Sequence, residues 1–221
     1  MARTNTLGNF LTDVAEAIRT KKGTSETIQA SNFDTEIVNL PSGGDLDWSA
    51  IGYDSTPEFI IGIYNYAKNI KDNWNDNITS LYQKFKYDTN LYIMPLVVTD
   101  NVVTFENAFN SCSNLVTIPL LNTNNVRNFT SCFISCTFLK NVPLLNTSSA
   151  LDMTNMFTYC YTLTDTSLDN ILQMCINATS YTGIKTLVRL GISNTSYYPV
   201  SRIQALPHYQ DFIDAGWTIG Y

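Results

Sequence analysis

The chain repeats itself. "FNSCSNLVTIPLLNTNNVRNFTSC", residues 109–132, is followed directly by "FISCTFLKNVPLLNTSSALDMTNM", and the match extends both ways at a step of 24. Phe85, Phe109, Phe133 and Phe157 fall in register, as do Leu91, Leu115, Leu139 and Leu163. So do Pro95, Pro119 and Pro143, and then Thr99, Thr123 and Thr147. Upstream, "NDNITSLYQKF" matches the second half of a unit, with Ile78 at the place of Val102 and Val126, and Leu81 at the place of Phe105, Phe129 and Met153. Three full units, residues 85–156, stand between two partial ones. A fixed period of this length predicts stacked coils, because no unit can bury its apolar side alone and neighbours must cover each other.

Each unit contains two spacings. Leu115, Ile118 and Leu120 follow L-x-x-L-x-L, with Thr123 where a leucine-rich repeat usually has Asn or Cys, which predicts a short strand ending in a turn. Val126, Phe129, Phe133 and Cys136 fall at steps of three, four and three, the spacing of one face of a helical turn. The expected fold class is therefore α/β, a leucine-rich-repeat-type solenoid whose coils advance about 4.8 Å each. The proline row deletes one row of ladder bonds, so strands of about four or five residues are expected. The threonine row predicts a hydroxyl ladder at the turn; the plainer alternative is that Thr only suits the backbone there.

Cys112, Cys136 and Cys160 share the period, and the count of five cysteines is odd. Spacing of this kind predicts a column of buried, unpaired thiols rather than a disulfide framework. Metal binding would want C-x-x-C-like pairs or histidines, and the chain has one histidine, His208. No cofactor is expected.

A length of 221 residues with 44% hydrophobic content suffices for a core. The net charge of −6 and pI near 4.6 argue against nucleic acid, whose affinity comes mainly from Lys and Arg on phosphates. No stretch approaches the roughly 18 apolar residues of a membrane span, and "MARTNTLGNFLTDVAEAIRTKKG" lacks the apolar run of a signal peptide. A soluble chain without membrane insertion is expected.

No catalytic residues are assigned. G-x-S-x-G, a phosphate loop and H-E-x-x-H do not occur, and the acids of the repeat region, chiefly Asp88, Asp100, Glu106 and Asp152, do not recur at period 24. His208, beside Pro207, is expected to face solvent.

Outside the repeats the sequence reads as an attachment module, caps and a connector. Residues 1–42 form the module: Leu7, Phe10, Leu11, Val14 and Ile18 lie on one helical stripe, and a second short helix opened by Ser31 makes a helical hairpin. The stripe is either covered within the hairpin or buried against another chain. "PSGGD" is a flexible linker. Residues 45–84 hold a cap and a partial repeat, with Ser55, Pro57 and Glu58 opening a helix to about Trp74. Residues 85–160 hold the repeats, and 161–221 the carboxy-terminal cap, with Ser167 capping "LDNILQMCINA", "KTLVRLG" as a last strand, and "QALPHYQDFIDAGW" as a closing helix ended by Gly216.

The pattern F-x-x-C-x-x-L-x-x-[IV]-P-L-L-N-T-x-x-[VA]-x-[ND]-[FM]-T resembles the BspA-like leucine-rich repeats of bacterial surface proteins and of structural proteins of phages infecting Gram-positive hosts. The amino-terminal segment "FLTDVAEAIRTKKGTSETIQASNFDTEIVNL" and the repeat flanks look like those of phage tail and minor structural proteins. What the resemblance implies is a virion structural protein, a tail fibre or baseplate component held to other virion proteins through its amino terminus. It would self-associate into a homo-oligomer and meet a host-surface protein or glycan through its repeats. The alternatives are a bacterial cell-surface adhesin, or a capsid decoration or head-fibre protein.

For recognition, the x positions of L-x-x-L-x-L are expected to face outward. That assigns Tyr92, Val116 and Lys140, the prolines, and an apolar row of Val97, Leu121 and Leu145 to one surface. A register shifted by one would instead put that row in the core. Asn122, Asn141 and Asn146, with Tyr92, are candidates for carbohydrate.

Overall fold

A computed structural model describes residues 57–192 and 196–220. The module at residues 1–42, with Leu7, Phe10, Leu11, Val14 and Ile18, lies outside the described residues, as does Ser55. Four α-helices are described: α1 (Pro57–Asp72), α2 (Asp165–Asn177), α3 (Val200–Gln204) and α4 (Tyr209–Asp214). A 3₁₀ turn spans Val188–Leu190.

Between α1 and α2 the chain winds in coils that meet through two rows of parallel bridges. One row joins Ser80, Thr104, Asn128 and Asp152; the other joins Ile93, Thr117 and Asn141. Every step in both rows is 24 residues, so each residue lies against its own counterpart in the next unit. Among the described residues these contacts are isolated bridges and not continuous strands. The prolines account for part of this. Met94 N–H still reaches Thr117 O at 3.4 Å, but Pro95, Pro119 and Pro143 then remove the donor. Threonine side chains take over: Thr99 Oγ1 donates to Asn122 O and Thr123 Oγ1 to Asn146 O, each at 2.8 Å. Thr147 Oγ1 donates in the same way to Met174 O of α2. All three threonines are buried, and their hydroxyls bond the next layer's main chain rather than one another.

The apolar residues at helical spacing sit on a run of tight turns instead of a helix. Here the main-chain N–H groups alternate in direction. Asn107, Phe109 and Ser111 donate to Thr130, Cys132 and Ile134 O of the next coil, whereas Ala108, Asn110 and Cys112 close turns on Phe105, Asn107 and Phe109 O. A helix would direct every N–H along its own axis and leave nothing for the neighbouring coil. The alternation requires left-handed backbone at Gln83, Asn107, Ser131 and Asn155, and again at Tyr87, Ser111, Ser135 and Tyr159, with φ from 54° to 67°. Each non-glycine residue there costs about 1 kcal/mol, which the inter-coil bonds offset.

These turns build a core of columns. Phe85, Phe109, Phe133 and Phe157 stack at centroid distances of 5.4, 5.3 and 5.6 Å, and Trp74 closes the lower end 6.3 Å from Phe85. Leu91, Leu115, Leu139 and Leu163 form a second buried column, and Cys112, Cys136 and Cys160 a third. All five cysteines are free and buried.

Each end of the stack is closed differently. At the first coil, α1 buries Ile63 and Ala67, and Tyr66 Oη donates to Asp88 Oδ2 at 2.6 Å. Burial, then that hydrogen bond, push the Tyr66 phenol up to about 12. At the last coil, α2 occupies the place of a further strand. Thr164, not Ser167, is its N-cap, accepting from Ser167 N. The buried Ser167 Oγ instead donates to Lys140 O at 2.8 Å and accepts from Val142 N at 2.9 Å, pairing groups that another coil would have paired. The expected strand at "KTLVRLG" is one bridge, Thr186 to Thr218, followed by the 3₁₀ turn. Leu190 O and Arg189 O of that turn accept from Phe157 N and Asn155 N, as a next coil would. Of the expected closing helix at 204–217 only α4 is helical, because Pro207 has no N–H to carry a helix through; α3 ends at Gln204, before it.

Candidate binding surface

The segment from Pro119 to Thr123 decides which side chains leave the core. Leu121 N–H bonds back to Pro119 O at 2.9 Å, a three-residue turn that throws Leu120 outward and Leu121 inward. Leu120 is 63% exposed, whereas Leu121 is 2% exposed. One coil on, Leu144 is exposed and Leu145 buried. In the first coil both Leu96 and Val97 pack partly against the core, and Val98 is exposed.

The expected apolar row is therefore misplaced by one residue. Leu121 and Leu145 belong to the core and Val97 packs partly against it, as Leu96 does, and the outward side chains are Leu120 and Leu144, with Val98 in the first coil. Leu120, expected inward as the last position of L-x-x-L-x-L, is the most exposed of them. Val116 is also buried, at 1%, in a coil whose main chain is bonded to the coils on both sides. Its N–H bonds to Tyr92 O and its O accepts from Lys140 N, both at 2.9 Å. Tyr92, Lys140, Asn141 and Pro143 are half-buried, and Pro95 and Pro119 buried. The proline in each unit was the sequence signal for the shift, since a strand's two-residue alternation does not survive a turn.

Asn122 and Asn146 are exposed beside the leucines. Asn122 Nδ2 donates to Asp100 Oδ1 and Asn146 Nδ2 to Asn124 Oδ1, each at 2.7 Å. Their Oδ1 atoms accept from the main-chain N–H of Asn124 and Ser148. Both amides are thus locked one coil apart. A depression of about 530 Å³ lies at the α1 end, where Trp74 and Lys71 face Leu96, Leu120 and Asn122. A second, of about 490 Å³, lies between Leu144, Asn146 and the end of α2 at Ile176 and Asn177. An aliphatic ridge with fixed amides beside it can exclude water from a partner and set its register.

The four acids of the repeat region named above have structural partners. Asp88 takes Tyr66, Asp100 takes Asn122, and Glu106 Oε2 accepts from Asn128 Nδ2 at 3.0 Å. Burial works to raise Asp152, but hydrogen bonds from Thr154 and Thr130 and the charge of Arg189 hold it below the ordinary carboxylate value. His208 is not simply solvent-facing: Nδ1 lies 2.7 Å from Asp169 Oδ2 and its N–H bonds Asp169 Oδ1, tying α4 to α2. Burial pushes every thiol up, Cys112 to about 12. Among the described residues, no group of three or more His, Cys, Asp or Glu side chains could hold a metal ion, and no helix is long and apolar enough to cross a membrane.

No family model, curated protein or solved structure matches the chain.

Proposed function

We propose that this chain is a non-catalytic structural protein of a phage virion, a tail-fibre or baseplate component of leucine-rich-repeat type. Residues 1–42 attach it to the particle, and the stacked coils present a surface to the host. The sequence resemblance of the repeats and flanks supports the virion reading. The observation that carries the binding role is the exposed Leu120 and Leu144, one coil apart, displayed beside the locked amides of Asn122 and Asn146. Exposed leucines on a monomer carry no stability benefit, and an apolar row rimmed by polar groups is the usual form of an interface.

Antibody against the purified chain is expected to label tails of phage particles carrying this gene, and the chain itself to compete with particles for host cells. Leu120→Asp should abolish competition while leaving thermal stability within about 0.5 kcal/mol. Labelling confined to capsids would favour a head-fibre role. Labelling of uninfected cells alone would favour an adhesin. Competition unaffected by Leu120→Asp would remove the ridge from recognition.

A further inference from the structure

Three exposed tyrosines meet at the carboxy-terminal end of the stack, away from the leucine ridge in sequence and outside the depressions described above. Tyr159 and Tyr161 have ring centroids 6.2 Å apart, and Tyr161 and Tyr197 4.8 Å apart. They are 54%, 38% and 52% exposed. The planes tilt by 52° and 33°, so the rings are set at angles to each other and not as a flat stack. Tyr159 stands where the inner coils have Ser111 and Ser135, at a left-handed position with φ 63°. The first coil has Tyr87 there, also exposed, so a tyrosine occupies this position at each end of the stack and serine in between, and the backbone does not require an aromatic side chain.

Beside the rings is a preorganised charged pair. Arg202 Nε donates to Asp165 Oδ1 at 2.7 Å, and its Nη1 donates to Tyr197 O at 2.8 Å. Nη2 donates to Leu163 O at 2.9 Å, which anchors the guanidinium to the end of the stack. The Asp165 side chain is 70% exposed, so its carboxylate has acceptor capacity toward solvent. The guanidinium lies over the buried Tyr198 ring at 5.5 Å and is joined to the cluster through the Tyr197 main chain. Exposed aromatic rings and an oriented carboxylate thus share one end of the stack, and together they match the two sides of a sugar ring. The apolar C–H face stacks on a ring, and the hydroxyl rim bonds the ion pair. The exposed carboxylate favours a hydroxyl-rich sugar over an apolar protein segment, which would leave it desolvated without a donor.

We propose that Tyr159, Tyr161 and Tyr197, with Asp165 and Arg202, form a binding site for a pyranose unit of a surface polysaccharide. The proposal deepens the recognition role proposed above and rests on it. The full-length protein is titrated with glucose, galactose, rhamnose, N-acetylglucosamine and their trimers. Saturation transfer and the tyrosine ring resonances are followed by NMR. At least one saccharide is expected to receive transfer at its ring C–H protons and to shift the resonances of Tyr159, Tyr161 and Tyr197. Tyr161→Ala and Asp165→Asn should each weaken binding at least tenfold with unchanged melting, and Tyr161→Phe should keep it. A panel in which no saccharide moves these ring signals overturns the assignment, as does binding that Tyr161→Ala leaves intact. Self-association that Tyr161→Ala abolishes would make the cluster a protein contact, which also overturns it. Leu120→Asp separates the two proposals. If it blocks competition with particles while no saccharide binds, the recognition reading stands and the sugar site falls.

Discussion

The thiol of Cys136 donates to the main-chain carbonyl of Phe109, one coil below, at 3.0 Å. Cys112 does the same to Phe85 at 2.9 Å and Cys160 to Phe133 at 3.0 Å. A cysteine recurs here because its side chain is small, apolar enough for a sealed core, and still able to donate to a carbonyl facing it across the layers.

The thiols make stability depend on pH in a defined direction. Burial raises them in the folded state from an ordinary value of 9.0, Cys112 to about 12. An acid raised on folding contributes its full stability below the unfolded pKa, and that stability is lost as pH climbs toward the folded value. Tyr66, raised from 10.0 to about 12, acts in the same sense. The denaturation midpoint is expected to hold up to about pH 9 and then to fall, with Cys112 alone accounting for about 2 kcal/mol by pH 10.5. Thiol reagent should label no cysteine rapidly at neutral pH. A midpoint flat from pH 8 to about 10.5 would contradict the burial.

Gly191 is a point where the cap touches the last coil. A Cβ there would collide with Thr158 Oγ1 and with the Thr158 main-chain N, and φ is 92°. Gly191→Ala is expected to cost roughly 2 kcal/mol or more in urea denaturation. Gly62, inside α1 with nothing within 4 Å, is the matched control. Gly62→Ala should stabilise by about 0.5–1 kcal/mol.

Side-chain hydroxyls replace main-chain ladder bonds in two places, and both can be tested. Thr123→Val keeps the shape but leaves Asn146 O without its 2.8 Å donor. Ser167→Ala leaves Val142 N without an acceptor, while Lys140 O still accepts from Thr164 N. Each is expected to cost about 1–3 kcal/mol, with faster hydrogen exchange of the Val142 amide in Ser167→Ala. The exposed Ser148→Ala should stay within about 0.5 kcal/mol. Equal stability of all three variants would deny the hydroxyls their role.

The 24-residue period by itself determined which residues stand above one another. Coils of equal length leave residue n only one place, over n minus 24, so the phenylalanine, leucine, threonine and cysteine columns could be read before any geometry was known. The prolines likewise announced where main-chain pairing would stop. Tertiary structure alone decided the direction of individual groups. The three-four-three spacing of Val126, Phe129, Phe133 and Cys136 fits a helix and a chain of turns equally well. The choice between them depended on where alternate N–H groups found acceptors, and those acceptors lie in another coil. Leu120 and Leu121 are chemically identical neighbours, and only the turn at Pro119 assigned one to solvent and the other to the core. Tyr197 meets Tyr161 from 36 residues away because α2 and the 3₁₀ turn fold back to close the last coil. Periodicity specifies neighbours along the stack, whereas the sense of each side chain is set by hydrogen bonds formed only when the coils are in contact.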